Sequence, residues 1–204
     1  MMMMKKVLSE ESVDPDPIVQ FCKWYNEHLE AGIAIPDSVS LGTASSAGRV
    51  SVRTVLLKRY DNNGFVFFTN FNSKKGIQIS ENHSAALLFY WTESGRQVRV
   101  EGIVEKVTEE ESSAYFSIRP RDSQISAWAS EQSSVIPDRS FLEEKHKFYS
   151  ARFENKQVEK PPHWGGFRLI PDSIEFWSDG EFRLHDRIVY TRSDGVWVIS
   201  RLAP

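Results

Sequence analysis

The sequence predicts a mainly β protein, an antiparallel barrel with helices packed on its outside. Many short segments alternate apolar and polar residues, as strands do, and Gly, Asn and Asp turns separate them. Five strands are followed by helices and then by more strands, an order that does not fit a doubly wound parallel sheet. The chain has 204 residues, of which 40% are hydrophobic, which suits one compact domain with its own core.

The first half of the chain contains most of the expected strands. Residues 1–14 have no periodic pattern, so we expect a mobile leader followed by a single domain over residues 15–204. Asp16 and Pro17 are typical of a helix start, and apolar residues then recur at helical spacing until Gly32 ends the helix. The other elements expected here are strands at 38–44, 49–58, 65–69, 84–91 and 96–107, and a short helix at 73–80.

The second half begins with helices and ends with strands. Thr108 and Glu111 form a capping box before a helix that reaches about Ile118, and another helix begins near Asp122 or Ser123. The remaining expected elements are a helix at 141–153, a linker at 160–162 and strands near 164–170, 174–178, 187–192 and 196–202.

Composition excludes several classes of function. The 25 basic and 28 acidic residues give a formal net charge of -3, without the basic field of a dedicated nucleic-acid binder. No apolar run approaches the ~20 residues that span a bilayer, and no signal peptide core follows the first residues, so we expect a cytoplasmic protein with no membrane partner. The single cysteine, Cys22, and the absence of paired metal-ligand motifs predict neither a disulfide nor a metal site.

Two polar stretches, residues 119–134 and 180–187, concentrate cationic side chains. They contain Arg119, Arg121, Arg183, His185 and Arg187. Guanidinium groups match phosphate and carboxylate oxygens two at a time, so these stretches are predicted to bind small anions. If residues 180–187 are extended, the last three of these side chains share one face. The alternative is a solvent-facing edge strand that carries charge against aggregation.

Tyr115, Arg119 and Ser123 are predicted to converge on one phosphate. Tyr115 lies four residues before Arg119 on the same helix face, and Ser123 lies at the next helix start. Arg53 and Lys58 lie near opposite ends of one apolar strand, on opposite faces. They are either further anion contacts or two surface cations at strand ends.

The remaining candidates include both charged and neutral side chains. Lys74 and Lys75 follow Ser73 at a helix start, where free N–H groups and ammonium groups suit a phosphate; the alternative is a solvated surface. Neutral donors and a flat aromatic wall, which suit a conjugated ring, are supplied by Gln97, Gln132, Ser133 and Trp177.

Eight separated segments together resemble the pyridoxine (pyridoxamine) 5′-phosphate oxidase family. They are RTVLLK (53–58), FFTNFNSKK (67–75), RQVRVEG (96–102), RPRDSQISAWASEQSS (119–134), WGGFR (164–168), EFW (175–177), GEFRLHDR (180–187) and the terminal RLAP. The segments occur in order from about residue 38 to the end. The resemblance implies an FMN-binding split β-barrel and a homodimer with FMN at the subunit interface.

The resemblance also implies residue roles. The family's FMN contacts fall on Arg53, Thr54, Val55, Leu56, Leu57, Lys58, Phe68, Thr69, Lys74, Lys75, Gln97, Gln132, Ser133, Trp177 and Arg187. Its substrate contacts fall on Lys58, Tyr115, Arg119, Ser123, Arg183 and His185, of which Arg183 and His185 are the expected catalytic residues.

The activity implied is the oxidation of a small phosphorylated pyridine. Pyridoxine or pyridoxamine 5′-phosphate would become pyridoxal 5′-phosphate, with dioxygen as oxidant and hydrogen peroxide as product. Two alternatives stay open: a related flavin oxidase of another ring substrate, such as a phenazine precursor, and a non-catalytic split-barrel protein that carries a cofactor. The presence of Tyr115, Arg119 and Ser123 argues against the first, and that of Arg183 and His185 against the second.

Overall fold

The computed structural model describes residues 7–32 and 35–204, which form helices around a single β-sheet. The helices are α1 (Pro17–Glu30), α2 (Lys74–Glu81), α3 (Glu109–Ser117), α4 (Arg121–Ala129) and α5 (Arg139–Arg152). The strands are β1 (Ser38–Ala44), β2 (Val50–Leu56), β3 (Arg59–Asp61), β4 (Gly64–Asn70), β5 (Ser84–Trp91), β6 (Arg96–Lys106), β7 (Trp164–Ser178), β8 (Asp186–Ser193) and β9 (Val196–Arg201). No helix in the described ranges is both long enough and apolar enough to cross a bilayer.

Every strand pair in the sheet is antiparallel. The order is β2-β1-β5-β6-β7-β4-β3, with β8 paired to β7 and β9 paired to β8. Strand β7 is central to the sheet: its first half pairs with β4, its second half pairs with β8, and β6 pairs with both halves. The sheet curls into a half-barrel, so the predicted mainly β, antiparallel fold class is confirmed.

Strand β7 differs from the two strands predicted near 164–170 and 174–178. The structure has one continuous strand in which the register with β6 shifts beside Gly102, the partner of Pro171. Proline has no N–H to donate, and a β-bulge accommodates it without ending the strand. The strands are so close here that a Cβ on Gly102 would lie 2.0 Å from the carbonyl oxygen of Ile170.

Helix α1 packs into the barrel and supplies part of the main core. Asp16 caps the helix as predicted, since its carboxylate accepts from the N–H of Ile18 at 2.7 Å. The fully buried ring of Phe21 lies 4.9 Å from Phe89 and 5.0 Å from Phe65, both in edge-on geometry. Such edge-on contacts are a favourable arrangement for packed aromatic rings.

Helices α3, α4 and α5 lie outside the sheet, over a second and smaller core. This core is formed by Phe116, Ile125, Phe153, Val158 and Trp164. The capping box at the start of α3 is present as predicted. Helix α4 starts one residue earlier than expected, directly after a proline that fixes the entry of the chain.

The described part of the expected leader, residues 7–14, is packed against the sheet rather than extended into solvent. Leu8 and Val13 are buried, and the hydroxyl of Tyr190 on β8 donates to the carbonyl of Asp14 at 2.6 Å. No local pattern predicts this packing, because hydrogen bonds of the segment reach β8, 176 and 178 residues further along the chain. Residues 1–6 of the expected leader lie outside the described residues.

Candidate active site

A cavity of about 580 Å³ opens between β2, β4 and the helices α3 and α4. Most of the candidate residues in the first two-thirds of the chain line it. The lining residues are Arg53, Thr54, Val55, Leu56, Lys58, Phe68, Thr69, Lys75, Tyr115, Ile118, Arg119, Pro120, Ser123, Gln132 and Trp164. Candidates separated by up to 79 positions in the sequence therefore meet around one space.

One side of the cavity carries two partly or fully buried cations. Lys75, which is only 8% exposed, donates to Thr69 at 3.1 Å and to Gln132 at 3.2 Å. Arg53 donates to the hydroxyl of Thr43 at 2.6 Å and to Gln78 at 3.3 Å. All of these acceptors are uncharged. Burial, together with the nearby Arg53 charge, lowers the pKa of the Lys75 ammonium, and burial lowers the pKa of Arg53.

The opposite side is an aromatic stack that carries a third cation. The ring of Phe68 lies 4.1 Å from Tyr115 and 5.4 Å from Trp164, with interplanar angles of 22° and 12°. The guanidinium of Arg119 lies 4.7 Å above the Trp164 ring. Its Nη1 is buried without a hydrogen-bond partner among the described residues, and burial lowers its pKa.

Trp164, Ile118 and Pro120 are cavity residues that sequence reasoning missed. The WGGFR segment contained a signal, since two consecutive glycines after a tryptophan suggest a close approach of backbone and side chains. A Cβ on Gly165 would lie 2.5 Å from the ring of Phe71. The glycines therefore let Trp164 and β7 pack tightly against β4.

Within residues 7–32 and 35–204, Lys58 is the one cationic side chain of the cavity that has an acidic partner. Its ammonium lies 2.8 Å from the carboxylate of Asp37, another residue that the sequence did not single out. Asp37 also accepts, through its backbone carbonyl, from the N–H of Leu57 at 2.8 Å. The Leu57 side chain is buried in the main core, so Leu57 could contact FMN, as predicted, only through its backbone.

Lys74 and Ser133 lie beside the cavity rather than in its lining. The side chain of Lys74 is exposed, and its backbone N–H donates to the hydroxyl of Ser133 at 3.2 Å. Ser133 has a positive φ of 77°, which is uncommon for a residue with a side chain. The turn that carries Ser133 thereby reaches the start of α2.

The remaining candidates form a second group at the β6, β7 and β8 ends. Gln97 pairs with Trp177, and Trp177 pairs with Arg187 across the sheet. The guanidinium of Arg187 forms a bidentate ion pair with Glu175, in which Nε and Nη2 donate to the two carboxylate oxygens at 2.7 and 3.1 Å. None of this group, nor Arg183 or His185, lines the 580 Å³ cavity of the same chain.

The segment 180–187 is not extended, so the prediction that its three cationic side chains share one strand face is wrong. Phe182 and Arg183 have φ values of 56° and 64°, and strand β8 starts only at Asp186. A tight loop forms because Gly180 allows the chain to fold back. A Cβ at Gly180 would lie 2.1 Å from the carbonyl oxygen of Leu184.

His185 is held at the base of this loop. Its Nδ1 accepts from the N–H of Gly180 at 3.1 Å and lies 3.2 Å from a carboxylate oxygen of Asp179. Its ring packs against Trp177 at 4.6 Å. Arg183 is exposed at the rim of the loop. The loop thus presents a fixed imidazole and an outward-facing guanidinium.

The charges of the cavity fit anionic ligands. Arg53, Lys75 and Arg119 have no carboxylate partner among the described residues, although each loses hydration through burial. Buried charges are normally paired, because an unpaired one is costly. The two cationic sides flank a partly apolar space, so the cavity suits a flat ring with an anionic group at each end.

The chain matches two family models. Residues 25–152 match the model described as pyridoxamine 5′-phosphate oxidase, and residues 164–204 match the pyridoxine 5′-phosphate oxidase C-terminal dimerisation region. The pyridoxine/pyridoxamine 5′-phosphate oxidase of Burkholderia thailandensis is 53% identical over 200 residues, which cover 97% of this chain and 93% of the relative. The enzyme of the same name from Burkholderia pseudomallei is 52% identical over equal shares.

Solved structures have the same fold. PhzG from Burkholderia lata 383, in complex with tetrahydrophenazine-1-carboxylic acid, has a TM-score of 0.91 at 30% identity and covers 97% of this chain and 98% of its own. A pyridoxamine 5′-phosphate oxidase-related, FMN binding protein from Nostoc punctiforme has a TM-score of 0.72 at 18% identity, over 95% and 99% of the two chains. With two family models over most of its length and relatives above 50% identity, the chain belongs to the pyridoxamine 5′-phosphate oxidase family.

Proposed function

We propose that this chain is an FMN-dependent oxidase of pyridoxine 5′-phosphate or pyridoxamine 5′-phosphate. The product is pyridoxal 5′-phosphate, with dioxygen as the final oxidant and hydrogen peroxide released; from the amine, water hydrolyses the resulting imine to the aldehyde and ammonia. The observation that carries the proposal is the pair of cationic ends of one cavity, neither compensated by a buried carboxylate in the described part of the chain. The names of relatives above 50% identity support it.

The FMN phosphate is assigned to the end formed by Arg53 and Lys75. Their present acceptors are hydroxyl, carbonyl and amide oxygens, and a phosphate would provide the missing negative charge. Lys74 and Ser133 lie beside the same end and would contribute at its rim. The flavin ring would lie along residues 53–58, with Phe68, Thr69 and Gln132 at its other edges.

The substrate phosphate is assigned to Tyr115, Arg119 and Ser123, with Lys58 between the two ligands. The orphan Nη1 of Arg119 is a donor for a phosphate oxygen. Each charge-assisted hydrogen bond contributes about 1.5–3 kcal/mol, so the loss of three or four of them with the phosphate removes most of a micromolar affinity of about 8 kcal/mol. Unphosphorylated vitamers are therefore expected to be poor substrates.

A second copy of the chain would complete the site. Gln97, Trp177, Arg183, His185 and Arg187 do not line the cavity of their own chain, yet the family resemblance assigns them to the same ligands. The exposed face of β1, β2 and β5 is rich in apolar side chains, including Val52, Leu56, Leu88 and Tyr90. Such a face is typical of a protein interface, and the match to a dimerisation region supports a homodimer.

The chemistry divides between cofactor and protein. Bound FMN would supply the redox chemistry: it would take a hydride from the substrate carbon that carries the hydroxyl or amine, and dioxygen would reoxidise the flavin and be reduced to hydrogen peroxide. The protein holds the pyridine ring against the cofactor through the phosphate contacts. Arg183, exposed on its loop, favours loss of the hydroxyl or amine proton, and His185, fixed by Gly180 and Trp177, orients the substrate.

The proposal is tested on the purified protein. The visible spectrum should show a bound flavin, and peroxide should form with pyridoxine 5′-phosphate much faster than with free pyridoxine. A protein that stays colourless and inactive after FMN is added would rule out the oxidase. A coloured protein that releases no peroxide with either phosphorylated vitamer, nor with tetrahydrophenazine-1-carboxylic acid, would support the non-catalytic alternative.

A second candidate function is the oxidation of a phenazine precursor. The structural similarity to PhzG favours it, since that protein was solved with a phenazine carboxylic acid. The 53% identity to named pyridoxine/pyridoxamine 5′-phosphate oxidases and the presence of Tyr115, Arg119 and Ser123 favour the phosphorylated pyridine. The same peroxide assay with tetrahydrophenazine-1-carboxylic acid separates the two.

A further inference from the structure

The terminal RLAP segment lies along the segment that carries His185 and Arg187. Arg201 donates to one carboxylate oxygen of Asp186 at 2.8 Å. The next residues continue the contact, because the N–H of Leu202 donates to the carbonyl of Arg187 at 2.9 Å and Arg187 donates to the carbonyl of Ala203 at 2.9 Å. The first residues of β8 are therefore tied to the end of the chain.

Residues 8–10 approach the same carboxylate from the other side. The N–H of Leu8 donates to the second oxygen of Asp186 at 3.1 Å. Arg201 also donates to the carbonyl of Leu8 at 2.8 Å and to the carboxylate of Glu10 at 3.1 Å. Since Leu8 is only 6% exposed, this N-terminal segment is anchored by packing as well as by hydrogen bonds. We call Arg201, Asp186, Leu8 and Glu10 the terminal clasp.

The terminal clasp fixes one end of a strained loop. Asp186 uses both carboxylate oxygens, so the backbone around it cannot turn without breaking at least one of these contacts. Phe182 and Arg183, just upstream, have left-handed backbone conformations that persist only where neighbouring contacts impose them. The other end of the loop is tied where the N–H of Asp179 donates to the carbonyl of Gly95 at 2.9 Å.

An ion pair that only stabilised the surface would not need contacts from Arg201 to three separate segments. Arg201 is 39% exposed, and isolated ion pairs at that exposure contribute about 0–1 kcal/mol. Its planar fork instead joins three segments: the N-terminal segment, the start of β8 and the end of β9. The geometry suits the placement of neighbouring groups more than it suits overall stability.

We propose that Arg201 is a positioning residue, which joins both chain ends to Asp186 and thereby holds His185 and Arg187 in place for substrate and cofactor. The inference rests on the proposed function, which assigns those two residues to the ligands. Arg201 itself would contact neither ligand. It acts on the placement of the segment that does.

The test compares Arg201→Gln with Arg192→Gln. Arg192 is an exposed arginine on β8 whose guanidinium lies 5.7 Å over Trp197 and which has no ion pair among the described residues. We expect Arg201→Gln to speed amide hydrogen exchange at Leu8 and Leu202 and through residues 183–187. We also expect kcat/KM for pyridoxine 5′-phosphate to fall about 10- to 100-fold, as for small displacements of reacting groups. Arg192→Gln should match the wild type in both measurements.

Conservative variants separate positioning from folding. Arg201→Lys keeps a charge for Asp186 but lacks the fork, so it should restore only part of kcat/KM. If Arg201→Gln does not fold, Glu10→Gln removes one contact and should give a smaller change in the same direction. A folded Arg201→Gln protein with a lower melting temperature but wild-type kcat/KM would overturn the proposal. So would unchanged exchange at residues 183–187.

Failure of the proposed function would look different. A wild-type protein that oxidises neither phosphorylated vitamer would refute that function. The exchange measurements and an FMN fluorescence titration would then still decide whether Arg201 orders the segment 183–187. Faster exchange at residues 183–187 in Arg201→Gln, together with weaker FMN binding, would support the positioning role of Arg201. Unchanged exchange and unchanged FMN binding would refute it.

Discussion

Replacing Lys75 by methionine tests the charge of the cavity directly. Lys75 is buried, its hydrogen bonds go to uncharged oxygens, and Arg53 lies near enough to lower the pKa of its ammonium further. Methionine has a similar length and no charge. The hydroxyl of Thr69 donates to Gln132 at 3.0 Å, a bond that does not involve Lys75, so we expect these polar groups to keep a partner in the variant.

The expected effects on the free and the FMN-bound protein have opposite signs. In the absence of FMN, the variant no longer buries a cation next to Arg53, so its melting temperature should equal or exceed that of the wild type. With FMN, it loses a charge-assisted hydrogen bond to the phosphate, worth about 1.5–3 kcal/mol. The dissociation constant of FMN should therefore rise roughly 10- to 150-fold.

Flavin fluorescence titration of the apoprotein measures this change, with riboflavin as the ligand that lacks the phosphate. Riboflavin should bind both proteins alike if Lys75 acts on the phosphate. Lys147→Met, at an exposed position on α5, is the matched control and should bind FMN as the wild type does. An FMN dissociation constant within twofold of wild type, or an equal loss for riboflavin, would refute the reasoning.

Further expected outcomes concern pH, the substrate end, the loop and the interface. The pKa of Lys75 in the folded state is lowered from 10.5, so between that lowered pKa and 10.5 the unfolded chain binds more protons than the folded one. The stability of the apoprotein should therefore rise with pH in this range. Urea denaturation measures the rise, which should be smaller in Lys75→Met. Arg119→Lys loses the flat stacking on Trp164, so KM for pyridoxine 5′-phosphate should rise about tenfold while free pyridoxine, in the same peroxide assay, is oxidised as before. Gly180→Ala forces the loop open, and the peroxide assay should show lost turnover while circular dichroism shows an unchanged barrel; wild-type turnover would contradict this. Val52→Glu places a charge on the exposed apolar face, and light scattering should report half the wild-type mass; an unchanged mass would place the interface elsewhere.

Local patterns in the sequence determined most of the elements and indicated the residue types that meet in the cavity. The helix cap at Asp16, the capping box at Thr108 and the alternation along β2 depend on neighbours a few residues away, so they could be predicted without the fold. The types of residue in the cavity were also evident, because clustered arginines, lysines and hydroxyls match phosphate wherever they meet.

Long-range contacts decided the rest. The continuous β7 depends on its register with β6, the loop at 180–187 on the close approach of Gly180 to Leu184, and the packing of residues 7–14 on strands near the other end of the chain. No local pattern encodes such contacts, because they are set by where distant segments come to lie. The tertiary structure alone separated the candidates into a cavity group and a second group outside it, since charge and spacing carry no information on which side of a sheet a segment ends.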